Sequence, residues 1–278
     1  MYPCQKITGE EKIMKNLRYL VMIMAAMLMA ACNKTGQDPE EPQGGASGFK
    51  IEVFDMNSSH CKVKVTYVPA EQVTNENAAE MLVGMSGIFV APGSGVRGFE
   101  GKVAAVKYAR ENNIPFFGVG LGMQASIIEF ARNVLGMADA HSRELDPQTK
   151  YPVIDLMEEQ KKVTAKGGTM RLGGYPCLLS KGSRVEEAYG TQSIVERHRH
   201  RYEFNSSFLA DFEAAGMKAT GLNPDTGLVE VVEIPTHRWF VGTQYHPEYH
   251  STAANPHPLF VRFVQEALKY RDENKTEE

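Results

Sequence analysis

The sequence predicts an α/β protein: a central, mostly parallel sheet with flanking helices, followed by a half richer in strand. Three observations carry that expectation. Apolar runs of strand length, GIFVAP and IPFFGV, alternate with helical patterns between residues 74 and 135. Residues 116–126, FFGVGLGMQAS, read as a buried strand passing through a glycine turn into a helix. From Thr164 to Glu248 strand-like runs dominate. The chain has 278 residues, 42% hydrophobic and 23% charged, which fits one good-sized domain with an appendage. A formal net charge of -4 supplies no general basic field, so nucleic acid is not expected as a partner.

The appendage comes first. Lys15 and Arg18 precede the apolar run Leu20–Ala31, which ends in small residues before Cys32. That is a secretory signal pattern, and LMAAC resembles a bacterial lipoprotein cleavage site with Cys32 as the lipidated residue. The run is too short for a comfortable membrane span. Residues 1–31 are therefore expected to be signal-like, with Met14 as an alternative start. Residues 32–48 carry the Pro, Gly and Glu content of a flexible tether. The expected location is a membrane surface, tethered through lipidated Cys32; an unprocessed start would leave the chain in the cytoplasm. The four cysteines, at 4, 32, 61 and 177, form no CxxC pair and no disulfide framework.

From Phe49 the domain elements follow in order. Residues 49–68 hold two alternating runs around Asn57-Ser58-Ser59 and predict a β-hairpin or two strands. Thr74 or Asn75 can cap a short helix through Leu82, ended by Gly84. Strand GIFVAP leads into the loop GSGVRG, then helix GKVAAVKYAREN, strand IPFFGV, and a helix with the stripe Met123, Ile127, Ile128, Ala131, Val134 and Leu135 closed by Gly136. Further strands are expected in MRLGGYPCLL, IVERHRHRYEF, LVEVVEI and WFVGTQYH, with helix SSFLADFEAAG between them. Helix HPLFVRFVQEALKY closes the domain with Leu259, Phe260, Phe263, Val264 and Leu268 as its core stripe. Cys177, alternating with apolar neighbours, reads as core.

The strand-to-helix turn is where α/β proteins place nucleophiles or phosphates, yet its centre is Gly120, which offers no side chain. GVGLG is not a dinucleotide loop, because the third glycine of that fingerprint falls on Met123. His246 and Glu248, two apart around Pro247, can point to one side of an extended backbone, although His246 taken alone reads as a structural histidine. His198 and His200 share a strand face, but Arg197, Arg199 and Arg201 around them would repel a cation, so no metal is expected there.

With these pieces placed, residues from about Cys61 to Tyr270 closely resemble the glutaminase domain of CTP synthase, a class I glutamine amidotransferase. The resemblance rests on VRGFEGKVAAVKYAREN, LGMQASIIEFARNVLG, YPVIDLMEEQK, KGGTMRLGGYPC, ERHRHRYEFN and HPEY. It implies a flavodoxin-like fold over residues 61–272, with 49–60 as a strand segment foreign to the family and 273–278 as a disordered tail. It also implies hydrolysis of glutamine by a Cys-His-Glu triad, whose ammonia a synthase domain uses to aminate ATP-activated UTP. His246 then matches the general base and Glu248 its partner. Gly93 and Leu121 match the oxyanion donors, while Gln124, Glu144 and Arg201 match positions that hold the substrate's polar groups. Gly120 stands at the place of the nucleophilic cysteine.

The same resemblance marks what differs. Ser94 occupies a place where the family usually has an aromatic residue, which weakens a wall of the glutamine site. No GxxxxGK[ST] phosphate loop occurs, so the chain is expected to hold no ATP, UTP or Mg itself and to need a synthase subunit in trans. Ser126 and Ser94 are weak candidates as replacement nucleophiles. The expectation is a glutaminase-type domain impaired in catalysis, with L-glutamine as its candidate ligand; the alternative is a non-catalytic glutamine-binding or scaffold lipoprotein.

Overall fold

The computed structural model describes residues 49–55, 61–156, 170–252 and 255–274. The signal-like run, Cys32 and the tether lie outside these residues. Among the described residues, no helix is long and apolar enough to cross a membrane.

The hairpin expectation holds at the backbone: β1 (Phe49–Asp55) and β2 (Cys61–Tyr67) pair antiparallel, Phe49 opposite Tyr67 and Asp55 opposite Cys61. The Asn57-Ser58-Ser59 turn lies outside the described residues. β1 also pairs antiparallel with β3 (Gly87–Val90). β3, β4 (Phe116–Val119) and β12 (Phe240–Thr243) are mutually parallel at the sheet centre. Beyond β12 the sheet continues antiparallel through β11 (Val229–Glu233), β10 (Lys218–Leu222), β7 (Arg171–Leu179) and β8 (Ser193–His200). The α/β class is as expected, but within this sheet parallel pairing is confined to the three central strands. Helical crossovers supply the chain length that parallel neighbours need, whereas β7, β10 and β11 join their neighbours by antiparallel returns.

A second sheet orders β5 (Ala140–Ser142), β6 (Tyr151–Leu156) and β9 (Tyr202–Phe204). Its existence changes one expectation: IVERHRHRYEF is not a single strand. The chain leaves the first sheet after His200, and Tyr202–Phe204 pairs with β6. Arg201 is the hinge residue between the two sheets.

Among the described residues six helices cover the sheet faces: α1 (Ala78–Met81), α2 (Phe99–Glu111), α3 (Leu121–Asn133), α4 (Arg184–Tyr189), α5 (Leu209–Ala215) and α6 (Pro258–Asn274). α1 is a single turn rather than the longer helix expected. Thr74 Oγ1 accepts from the N–H groups of Glu76 and Asn77, at 3.2 and 3.3 Å, and so opens a tight turn ahead of it. α6 runs through Asn274, two residues into the expected tail, and Glu273 there is paired with Arg238. Strand alternation divides the core. Ile88, Val90, Phe116 and Phe240 face α2 and α3, while Phe89, Phe117 and Val241 meet Leu259, Phe260, Phe263 and Val264 of α6. Cys177 belongs to that second core, and burial pushes its thiol pKa up.

Two glycines let the central layers touch. A Cβ on Gly122 would lie 2.1 Å from the Val90 carbonyl oxygen, and one on Gly118 would lie 2.7 Å from the Gly122 carbonyl carbon. β3, β4 and the first turn of α3 therefore meet backbone to backbone.

Candidate active site

Gly120 sits between β4 and α3 with φ 55° and ψ -111°, a conformation that strains any residue with a Cβ. Its N–H donates to the Thr243 carbonyl of β12 at 2.8 Å, and its carbonyl accepts from the Gln124 N–H at 3.1 Å. These bonds tie the turn to the parallel strand beside it and to its own helix. The position a Cβ would take at residue 120 lies 3.3 Å from His246 Nε2 and 3.4 Å from Pro92 Cβ. A side chain here would thus project at the imidazole.

His246 follows β12, and its backbone N–H donates to the Arg197 carbonyl of β8 at 2.8 Å. Its Nδ1 lies 2.7 Å from Glu248 Oε1, both side chains being buried. The pairing forms as expected but by a different route. Pro247–His250 is a 3-10 turn, and the fold back through Pro247 brings residues two apart into contact. With Nδ1–H donated to the carboxylate, Nε2 carries the lone pair on the residue-120 side.

Gly93 lies on the exposed loop after β3, where a Cβ would be 3.8 Å from Leu121 Cδ2. Leu121 is the first residue of α3, where helix geometry leaves N–H groups without an intrahelical acceptor. The loop and the helix start thus converge beside Gly120. Lys102 of α2, which the sequence reading passed over, supports this loop from behind. It is buried, its Nζ donates to the Ala91 carbonyl at 3.3 Å, and burial pulls its pKa down to about 8 against the attraction of Glu71. A lysine inside the apolar run of α2 was the available signal.

Gln124 is buried, and its amide nitrogen donates to the Tyr202 carbonyl at 3.2 Å and to Gln244 Oε1 at 3.3 Å. It therefore holds the chain next to Arg201. Glu144, just after β5, has its pKa raised by burial, with the charge of Arg201 opposing that rise. Gln124 thus comes from α3, Glu144 from just after β5 and Arg201 from the junction of the two sheets. Ser94 is exposed on the loop. Ser126 is buried with its hydroxyl donated to the Met123 carbonyl at 2.7 Å, which commits it to its own helix.

His198 and His200 do share a buried face, with His198 Nδ1 2.7 Å from His200 Nε2. The expected reason against a cation needs correcting. Strand alternation places Arg197 and Arg199 on the more exposed side of β8, and the cation that influences the histidines is Arg171 of β7. Arg171 Nη2 donates to Glu230 Oε1 at 2.8 Å and Nη1 to Glu203 Oε1 at 3.3 Å, while His198 Nε2 lies 3.3 Å from Glu230 Oε2. Burial, reinforced by Arg171, holds the His198 pKa down at about 2; His200 is pushed well below its usual range, first by burial. Burial lifts Glu203 to about 8. Among the described residues, no group of His, Cys, Asp and Glu is arranged to hold a metal ion.

A sequence model of the family described as glutamine amidotransferase class-I matches residues 51–266. The chain belongs to the class I glutamine amidotransferases. The matched span runs from within β1 to the middle of α6, and the architecture above is the class I amidotransferase fold. This amidotransferase is 60% identical over 208 residues to a CTP synthase of Bacteroides thetaiotaomicron, and 58% identical over 209 residues to that of Cytophaga hutchinsonii. Each match covers 75% of this chain and 39% of the relative, so the chain spans about two-fifths of the length of these curated relatives. In structure it is similar to the glutaminase domain of Trypanosoma brucei CTPS with bound acivicin. The TM-score is 0.71 at 32% identity, covering 90% of this chain and 88% of that one.

Proposed function

We propose that this chain is a CTP synthase-type glutaminase unit that binds glutamine but hydrolyses it poorly, because residue 120 is the nucleophile position and is glycine. One observation carries the reading: the Cβ direction at Gly120 ends 3.3 Å from His246 Nε2, which Glu248 orients from the other side. A cysteine at 120 would give its proton to Nε2 and attack the amide carbon. N–H groups of Gly93 and Leu121 would hold the oxyanion, and the imidazolium would protonate the departing ammonia. Without that sulfur, turnover should fall on the order of a million-fold, leaving what binding and the oxyanion hole supply.

The test is ammonia release from glutamine by the purified chain and by Gly120→Cys. No release above background is expected from the former, with recovery in the latter. Wild-type activity within tenfold of the variant would overturn the reading.

Glu144, Gln124 and Arg201 support glutamine as the ligand: a carboxylate suits the amino group and a cation the carboxylate. Calorimetry should show weak saturable binding, abolished by Arg201→Met. A synthase unit that would use the released ammonia belongs to the same proposal, this chain spanning about two-fifths of the length of the relatives. The sequence before Phe49 supports a second reading, a glutamine-binding lipoprotein tethered through Cys32. Mass spectrometry of the mature N-terminus separates the two: a lipidated Cys32 favours the tethered binder, and an unprocessed start favours a cytoplasmic unit.

A further inference from the structure

We propose that Glu196 of β8 is a positioning residue for the His246–Glu248 dyad, clamping through His250 the 3-10 turn that carries the Glu248 carboxylate to the imidazole. The inference rests on the glutaminase reading of the same site and adds to it a residue that acts through the backbone of the turn.

The turn Pro247–His250 holds itself only loosely. Its internal bonds, from the Tyr249 N–H to the His246 carbonyl at 3.2 Å and from the Ser251 N–H to the Glu248 carbonyl at 3.3 Å, lie at the long end of the hydrogen-bond range. Two shorter bonds fasten it to β8. At its entry the His246 N–H donates to the Arg197 carbonyl at 2.8 Å. At its exit His250 Nδ1 lies 2.8 Å from Glu196 Oε2. The two anchors are consecutive residues of one strand, and Glu248 stands between the two fastened points.

Glu196 is itself held from two further directions. Its side chain is buried, and Oε1 accepts from the Tyr189 hydroxyl at 2.8 Å, at the end of α4, and from His257 Nε2 at 3.0 Å, just before α6. The Leu259 N–H donates to His257 Nδ1 at 3.3 Å, so the lone pair of that ring lies at Nδ1 and its proton at Nε2. Burial works to raise the Glu196 pKa, but the hydrogen bonds from His257 and Tyr189 outweigh it and hold the carboxyl below its usual value. An ionised carboxylate only accepts, which places a proton on His250 Nδ1 facing Oε2. Three elements thus converge on one carboxylate, and the His250 arm is the one that belongs to the dyad's turn. The His250 side chain is 44% exposed, so its removal takes little from the core and isolates that arm.

The experiment uses the full chain and two readouts. In the chain as it stands, nitrogen-edited NMR follows the Nδ1-bound proton of His246, assigned by its loss in His246→Ala. In Gly120→Cys, glutamine hydrolysis gives kcat and KM. His250→Ala is expected to broaden or shift the His246 signal and to lower kcat about tenfold, with little change in KM or in the thermal midpoint, as fits a dyad displaced by a fraction of an ångström. Glu196→Gln should do the same, and the two substitutions together should cost no more than either alone. His250→Asn, which keeps a donor at the Nδ1 position, should restore the rate. If Gly120→Cys is active while His250→Ala and Glu196→Gln leave kcat and the His246 signal unchanged, or if their losses multiply, the clamp is overturned and the glutaminase reading stands. If Gly120→Cys is inert, the glutaminase reading falls; a His246 signal altered in both variants then upholds the clamp on the pair, and an unaltered one overturns it.

Discussion

At the turn between β4 and α3, Gly118 and Gly122 bring backbone against backbone. On β7, β8, β9 and β11, by contrast, Arg171, His198, His200, Glu203 and Glu230 are buried side chain against side chain. The turn holds its shape although its central residue contributes no side chain, because its bonds run from the Gly120 N–H to β12 and from its carbonyl to α3. The charge cluster has no such reserve. Every member there compensates another, and removing one leaves the remainder buried and unbalanced. The proposed site spans both kinds of construction: its frame is backbone, while His246 lies close enough to the cluster to lower the pKa values of His198 and His200.

The sharpest break of this contrast is Arg171→Met, which keeps an apolar stem but strips Glu203 and Glu230 of their shared cation. A loss of about 3–5 kcal/mol is expected at pH 7.5, read by urea unfolding and equivalent to a fall of about 10 °C in Tm. The deficit should shrink at pH 5, where the stranded Glu230 can take up a proton; Glu203, lifted to about 8, already holds one. A deficit that does not change between the two pH values would show that packing, not charge, supplies the loss.

The sequence shows the turn far better than the cluster. FFGVGLGMQAS announces strand, turn and helix locally, because periodicity and glycine spacing sit in consecutive residues. His246 and Glu248 were legible for the same reason, although the 3-10 turn that joins them was not. The cluster is assembled from strands up to 59 residues apart in sequence, and each member reads alone as a strand residue of either face. Arg201 illustrates the limit: the alternation of IVERHRHRYEF runs straight through it, while the chain changes sheets there. A period-two pattern records which face a residue takes and not which sheet it joins.

A smaller effect is expected from Gly122→Ala, which tests the turn instead of the cluster. The added methyl would meet the Val90 carbonyl oxygen at 2.1 Å, so α3 and β3 must separate. Overpacking of this kind costs about 1–3 kcal/mol. Unlike Arg171→Met, the loss should be independent of pH. It should also abolish glutamine binding measured by calorimetry, because Leu121 and Gln124 move with the helix start. Retained binding would show that the site does not depend on the close approach of β3 and α3.

The smallest effect concerns the slope of stability against pH, where the buried histidines and Glu203 act in opposite senses. His198 is held at about 2 and His237, in the turn before β12, at about 4, both first by burial and both below the ordinary histidine value of about 6.5. Between pH 6.5 and 4 the unfolded chain takes up protons that these folded-state rings refuse, so their contribution falls as pH falls. Glu203, lifted to about 8, holds a proton in the folded state that the unfolded chain has released above the usual carboxylate range. Its contribution therefore rises as pH falls from 8 toward 4.5. Each group changes the slope by up to about 1.4 kcal/mol per pH unit. His237→Gln should flatten the acid limb of the stability profile, and Glu203→Gln should steepen it, whatever either substitution does to the absolute level. Equal slopes in the two variants, from urea midpoints between pH 6 and 4.5, would mean that neither group keeps its shifted protonation state in the folded chain.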